Sequence, residues 1–311
     1  MNDNYSVIYP ILAFEKKLKN VENIENLYQM KNIIVPLDFS TESLKGIEMG
    51  LLIAHKTPVR IQMVYVQKKT DIPSMAEEEF RYAEKNFKKI IEEHKGKIPE
   101  GSSLNYIIKK GKVYQEIVNQ AEAFTDSLIV ASTHGASGFE ELFIGSNAYK
   151  IISATSRPVI TIRHETLASN VTKIVLPIDF VVETRQKVIF TSFIAKIFGA
   201  EIHVVSVTNS KSKKIINRLN AYSAQVCNYL KTKEIEYKTA ALYGSSIGMV
   251  IDYAEKVNAE LISIINENGD SITDLIIGGE AQQMISKSPI PVLTIRAKPH
   301  FIKDSFSTFG G

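Results

Sequence analysis

The chain has 311 residues, 44% of them hydrophobic and 23% charged, with a formal net charge of +3. That balance is ordinary for a globular protein and allows sizeable cores, while so small a charge gives no reason to expect nucleic acid or an acidic membrane surface as a partner. One cysteine, Cys227, excludes an intrachain disulfide and fits a reducing, cytoplasmic compartment; no apolar run reaches the roughly 18 residues that a membrane span needs.

Residues 1–29 have no counterpart later in the chain. Phe14, Leu18, Val21 and Leu27 form an irregular stripe, read as a docked or weakly ordered extension. Tyr5 to Phe14 is short, is interrupted by Pro10 and lacks a basic flank, which speaks against a signal peptide. Met30 leaves an internal translation start open.

From residue 30 strands and helices alternate. Ile33 to Leu37 is a continuous apolar run, as in a strand buried on both faces of a parallel sheet. Ser40-Thr41-Glu42-Ser43 offers capping groups, and Leu44, Ile47, Leu51 and Ala54 follow at helical spacing. Ile61 to Val66 is the second strand. Phe80, Ala83, Phe87, Ile90 and Ile91 mark a long helix whose charges, Glu77 to Lys97, form its solvated face. Leu104 to Ile108, a helix around Tyr114 to Phe124, and the strand Leu128 to Ala131 come next. A helix from about Ser146 and the strand Val159 to Ile162 close the unit.

The chain then repeats itself. Ile33-Ile34-Val35-Pro36-Leu37-Asp38-Phe39 returns as Ile174-Val175-Leu176-Pro177-Ile178-Asp179-Phe180, and Ser127 to Arg163 aligns without a gap onto Glu260 to Arg296. The second set of strands is Ile174–Ile178, Ile202–Val207, Ile235–Ala240, Leu261–Ile265 and Val292–Ile295. Each copy therefore predicts a doubly wound, Rossmann-like α/β domain with a five-stranded parallel sheet. The matching last strands, Pro158–Arg163 and Pro291–Arg296, would each leave an open edge; antiparallel pairing between copies closes both and makes the chain an intramolecular pseudo-dimer.

In such a sheet, ligands sit beyond the carboxyl ends of the strands at the switch point. Pro36 and Asp38 end the first strand there. Ser132-Thr133-His134-Gly135 leads, after nine residues, to Gly145-Ser146-Asn147 at a helix start. Amides at a helix N-terminus favour an anion; glycine permits close approach, and Ser146 adds a hydroxyl. Alone, Gly145-Ser146 reads equally as an N-cap and Asp38 as a turn residue. His134 reads as a solvated or loop-bracing residue. No Gly-x4-Gly-Lys-(Ser/Thr) loop and no metal-ligand spacing of His and Cys occurs.

The spaced motif resembles that of the universal stress protein family, whose nucleotide-binding branch carries Gly-x2-Gly-x9-Gly-(Ser/Thr) and an Asp ending the first strand. Ser132 stands here for the first Gly. The resemblance implies domains at 30–163 and 171–297, with an extension at 1–29 and a tail at 298–311. It implies that Pro36, Asp38 and Val66 face the adenine and ribose end, and that Ser132, Gly135, Gly145, Ser146 and Asn147 hold the phosphates. It implies ATP or another adenine nucleotide as ligand, with or without magnesium.

Copy two departs from the motif: Ile265, Glu267, Asn268, Gly278, Gly279 and Glu280 stand for Ser132, His134, Gly135, Gly145, Ser146 and Asn147. Glu280, in a first helical turn, would satisfy the dipole itself and repel phosphate. The sequence therefore reads as a stress-response sensor with one nucleotide site, in copy one. A nucleotide-free interaction scaffold is the alternative, a slow nucleotide hydrolase or transferase the third reading. A higher homo-oligomer stays open.

Overall fold

The computed structural model describes residues 30–133, 145–163, 167–181, 183–244, 247–266 and 278–297. In copy one the elements are β1 (Asn32–Pro36), α1 (Thr41–Ala54), β2 (Arg60–Gln67), α2 (Pro73–His94), β3 (Ser103–Lys110), α3 (Val113–Glu122), β4 (Ser127–Ser132), α4 (Ser146–Ala154) and β5 (Val159–Ile162). Copy two follows with β6 (Lys173–Ile178), α5 (Lys187–Phe198), β7 (Glu201–Thr208), α6 (Lys213–Thr232), β8 (Tyr237–Tyr243), α7 (Ile247–Lys256), β9 (Leu261–Asn266), α8 (Gly279–Lys287) and β10 (Val292–Arg296).

The strands form one ten-stranded sheet in the order β3-β2-β1-β4-β5-β10-β9-β6-β7-β8. Within each copy all pairing is parallel. The first strand of each lies between the second and the fourth, which creates the switch point. Ile33, Ile34 and Val35 are fully buried because helices cover both faces, hence the unbroken apolar run.

The copies join through β5 and β10, antiparallel, with Val292 opposite Thr161, Leu293 opposite Ile160 and Thr294 opposite Val159. Neither strand is an edge, as expected from their matching sequences. Thr161 Oγ1 donates to the Val292 carbonyl at 3.2 Å. Arg296 crosses the junction to the Ser153, Ala154 and Thr155 carbonyls at 3.4–3.5 Å, a cation at the C-terminus of α4. Ile160 and Ile162 share one core with Leu293 and Ile295, so apolar packing also runs across the junction.

The two copies dock their first helices differently. In α1, a Cβ on Gly46 would lie 2.6 Å from Val35 Cγ1 and 3.1 Å from the Val130 carbonyl oxygen, so the helix presses on the sheet through glycine. The equivalent of Gly46, at the same distance from the repeated Asp, is Lys187, which is buried in α5. Thr191, a turn later, is also buried and hydrogen-bonds Ser263 Oγ at 2.6 Å. Copy two thus packs side chains where copy one has none, and its helix begins later, after a short 3-10 turn at Glu183–Arg185.

The expected and observed strands agree closely except at β8, which starts at Tyr237 rather than Ile235. Glu234 has a φ of 55°, and the Ile235 N–H returns to the Leu230 carbonyl at 3.0 Å. Ile235 therefore closes the end of α6 and buries its side chain there before the strand begins. The charged stretch 77–97 runs along α2 as far as His94 and then through a 3-10 turn at Lys95–Lys97, with Glu77–Arg81 and Glu84–Lys88 ion pairs one turn apart on the solvated side.

Candidate functional site

Each copy has a switch point at the carboxyl ends of its strands, where its first strand lies between the second and the fourth. In copy one, Asp38 follows β1. Its carboxylate accepts the Ser40 N–H at 3.0 Å and the Ser40 hydroxyl at 2.5 Å. Ser40 in turn caps α1, accepting the Ser43 N–H at 3.2 Å. The expected capping role of the 40–43 segment is thus present, and Asp38 serves it.

Between Asp38 and Ser40, Phe39 takes a φ of 65°, a conformation uncommon outside glycine. This turns its ring inward, where it stacks on Tyr65 with centroids 5.1 Å apart and meets Phe87 edge-on at 5.0 Å. Tyr65 donates its hydroxyl to Glu79 at 2.8 Å. Burial first, then that hydrogen bond and the Glu79 charge, push the Tyr65 phenol well above its ordinary range. Aromatic packing thus braces the turn that presents Asp38 to solvent.

Pro36 is half-buried and Ser132 half-buried at the end of β4, while Val66 is 7% exposed and belongs to the core beneath the crevice. Val66 therefore contributes floor rather than rim. The Thr133 carbonyl accepts the Gly145 N–H at 2.7 Å, pinning the start of α4 to the end of β4. A Cβ on Gly145 would lie 2.9 Å from that carbonyl oxygen, so glycine is required by the close approach.

This contact corrects one detail of the sequence reading. The Gly145 N–H is already used, so it does not join the anion-binding amides. The first bond inside α4 runs from the Tyr149 N–H to the Gly145 carbonyl at 3.0 Å. The amides of Ser146, Asn147 and Ala148 consequently have no partner within the helix itself. Ser146 and Asn147 are exposed, and the first turn of α4 carries no acidic residue. Gly135 and His134 lie outside the described residues.

Copy two builds the same frame from different groups. The Asp179 carboxylate accepts the Val181 N–H at 2.7 Å, two residues on, as Asp38 does with Ser40. The side chain of Asn266 replaces the Thr133 backbone: its Oδ1 accepts the Gly278 N–H at 3.3 Å. Asn266 is fully buried, and its Nδ2 has no hydrogen-bond partner among the described residues. At the start of α8, Gly279 and Glu280 are both exposed, with Glu280 in the first turn. Glu267 and Asn268 lie outside the described residues.

The copy-two crevice encloses a cavity of about 500 Å³. Its walls include Ile178, Val207 and Met284, with Asp179, Lys187 and Glu280 as charged groups. The Lys187 ammonium donates to Thr184 Oγ1 at 3.2 Å, and the same oxygen faces the Asp179 N–H at 3.5 Å. The sequence reading missed Lys187: a lysine in an amphipathic pattern reads as a solvated face. Its alignment with Gly46 was the available signal.

Cys227 lies in α6, half-buried. Burial raises its thiol pKa, only partly offset by a hydrogen bond with Ser223, which fits an inert thiol. No group of three or more metal-ligating side chains occurs among the described residues, and no helix there is long and apolar enough to cross a membrane.

The sequence model of the Universal stress protein family matches the chain twice, over residues 30–163 and 170–296. A universal stress protein of Methanocaldococcus jannaschii is 28% identical over 170 residues, which is 50% of this chain and 95% of that protein. A universal stress protein of Bacillus subtilis is 25% identical over 144 residues, 42% of this chain and 97% of that protein. Among solved structures, a universal stress protein from Archaeoglobus fulgidus superposes with a TM-score of 0.71 at 20% identity. It covers 86% of this chain and 99% of its own. Likeness at that identity speaks to the fold, which both copies share.

Proposed function

This chain belongs to the universal stress protein family, and from that premise we propose that it is a stress-response sensor holding ATP or another adenine nucleotide in copy one. The observation that carries the reading is the start of α4. Ser146, Asn147 and Ala148 present helix N-terminal amides, with no acidic side chain in that turn to occupy them. The Ser146 hydroxyl adds a donor, and the glycine at 145 lets the helix approach the end of β4. Asp38, held by Ser40, keeps a carboxylate at the other side of the crevice, suited to a ribose hydroxyl. Copy two acts as the structural partner that closes the β5 edge.

The competing reading is a nucleotide-free interaction scaffold. Its specific support is that Asp38 already has a structural task in capping α1 through Ser40. The two readings separate by releasing bound small molecules from freshly purified, acid-denatured protein and identifying them by mass spectrometry. The sensor reading expects an adenine nucleotide in the extract, or saturable ATP binding by the emptied protein. Neither extraction nor binding leaves the scaffold.

A further inference from the structure

We propose that the copy-two cavity is a second ligand site, and that it takes an unphosphorylated nucleoside. The inference rests on the reading of copy one in one respect: Asp179 and Val207 stand where Asp38 and Val66 stand at the base and ribose end. Everything else comes from the copy-two cavity.

The cavity is large enough: about 500 Å³ lies within the range of sites that enclose small organic ligands. Its charge then excludes phosphate. Among the described lining residues, Asp179 and Glu280 stand against one ammonium, that of Lys187. The α8 N-terminus, the natural anion site, carries Glu280 in its first turn. A triphosphate entering beside two carboxylates meets repulsion from both, whereas a neutral ligand meets hydrogen-bond acceptors that suit ribose hydroxyls.

The aromatic residue after the Asp supplies the second argument. In copy one Phe39 turns inward onto Tyr65 and Phe87. In copy two the position of Tyr65 is held by Ser206, and that aromatic packing is gone. Phe180 instead is 38% exposed and lines the cavity. An exposed ring, the one aromatic side chain among the described lining residues, offers a stacking face for a planar heterocycle. Val207, Ile178 and Met284 supply apolar surface beside it. A flat ring, hydroxyl groups and no phosphate together define a nucleoside.

The test is a titration of the full chain with adenosine in saturating ATP. It is read by calorimetry on the unaltered protein and on Phe180→Ala and Val207→Trp. The inference expects adenosine to bind once per chain without displacement by ATP. Phe180→Ala should weaken it roughly tenfold, the range for removing one stacked ring; Val207→Trp should fill the cavity and abolish binding. Both positions are partly exposed, and thermal unfolding checks that each variant folds. Adenosine binding unchanged in both variants, no adenosine binding at all, or ATP competing for the Phe180-dependent site would overturn the inference. Failure of the copy-one reading looks different: ATP would not bind, while Phe180-dependent adenosine binding would be scored as before.

Discussion

Copy one and copy two share a strand order, an Asp turn after the first strand and a helix aimed at the same crevice, yet they present opposite chemistry to it. At the start of α4 the exposed residues are Ser146 and Asn147; at the start of α8 they are Gly279, which has no side chain, and Glu280. The first helix presses on the sheet through Gly46 in copy one and buries Lys187 at the same position in copy two. Phe39 turns inward, while Phe180 faces the cavity. Duplication keeps the frame because sheet registry and the shared edge demand it. The crevice is free to change because its rim residues are solvent-facing and contribute little to the core.

The largest effect that breaks this contrast is expected from Ser146→Asp. An acid in the first turn of a helix favours the helix, so α4 should be retained or slightly stabilised. The same carboxylate would stand among the amides offered to phosphate, and ATP affinity should fall by roughly 100-fold. Calorimetric titration and thermal unfolding of the variant should move in opposite directions. The position is preferable to Gly145, where any Cβ meets the Thr133 carbonyl at 2.9 Å and would confuse binding with folding.

Gly46→Ala tests the helix packing. With 2.6 Å to Val35 Cγ1, the added methyl forces α1 outward, and urea unfolding should show a loss of about 1–3 kcal/mol. An unchanged midpoint would mean that α1 shifts to admit the methyl group without cost.

Glu280→Asn combined with Gly279→Ser sharpens the contrast from the other side. A Cβ on Gly279 meets nothing within 4 Å among the described residues, so the fold should tolerate it. Removing the carboxylate and adding a hydroxyl should raise ATP affinity in copy two by about tenfold, read as a second binding event per chain.

Glu122 gives the smallest effect, and copy one alone has this anchor among the described residues. It ties the end of α3 to the segment before β5, accepting from the Ser156 N–H at 2.7 Å and from the Thr155 hydroxyl at 2.9 Å. Burial would raise its pKa. The Ser156 and Thr155 hydrogen bonds and the Arg157 charge outweigh this and hold it below its ordinary value of 4.5. A depressed carboxylate stabilises the fold above its unfolded pKa and loses that contribution as pH falls through its folded value. Glu122→Gln should therefore be about 1 kcal/mol less stable at neutral pH, after allowance for solvent screening. The gap should close in acid-unfolding curves taken below the carboxylate range.

The frame was legible in the chain because buried parallel strands leave unbroken apolar runs and because everything was written twice. Ile33 to Val35 and Ile174 to Leu176 could hardly be anything else, and the matching ends at Arg163 and Arg296 pointed to the pairing of β5 with β10. The crevice was legible only in part. Ser146 and Asn147 stand at an exposed helix start as their spacing implied, but the Gly145 N–H is claimed by a backbone carbonyl that no residue code reveals. Phe180 was invisible, and Lys187 was signalled only by its alignment with Gly46, for a related reason. A buried lysine and a cavity-facing ring depend on how far one helix stands from the sheet and on the sign of one φ angle, both settled by packing between distant residues.

The most direct test of this account counts ATP. Calorimetric titration of the full chain should give one ATP bound per chain, and Ser146→Asp should remove it while Val207→Trp leaves it intact. Two ATP per chain, or a single ATP that survives Ser146→Asp and disappears in Val207→Trp, would contradict the assignment of nucleotide to copy one.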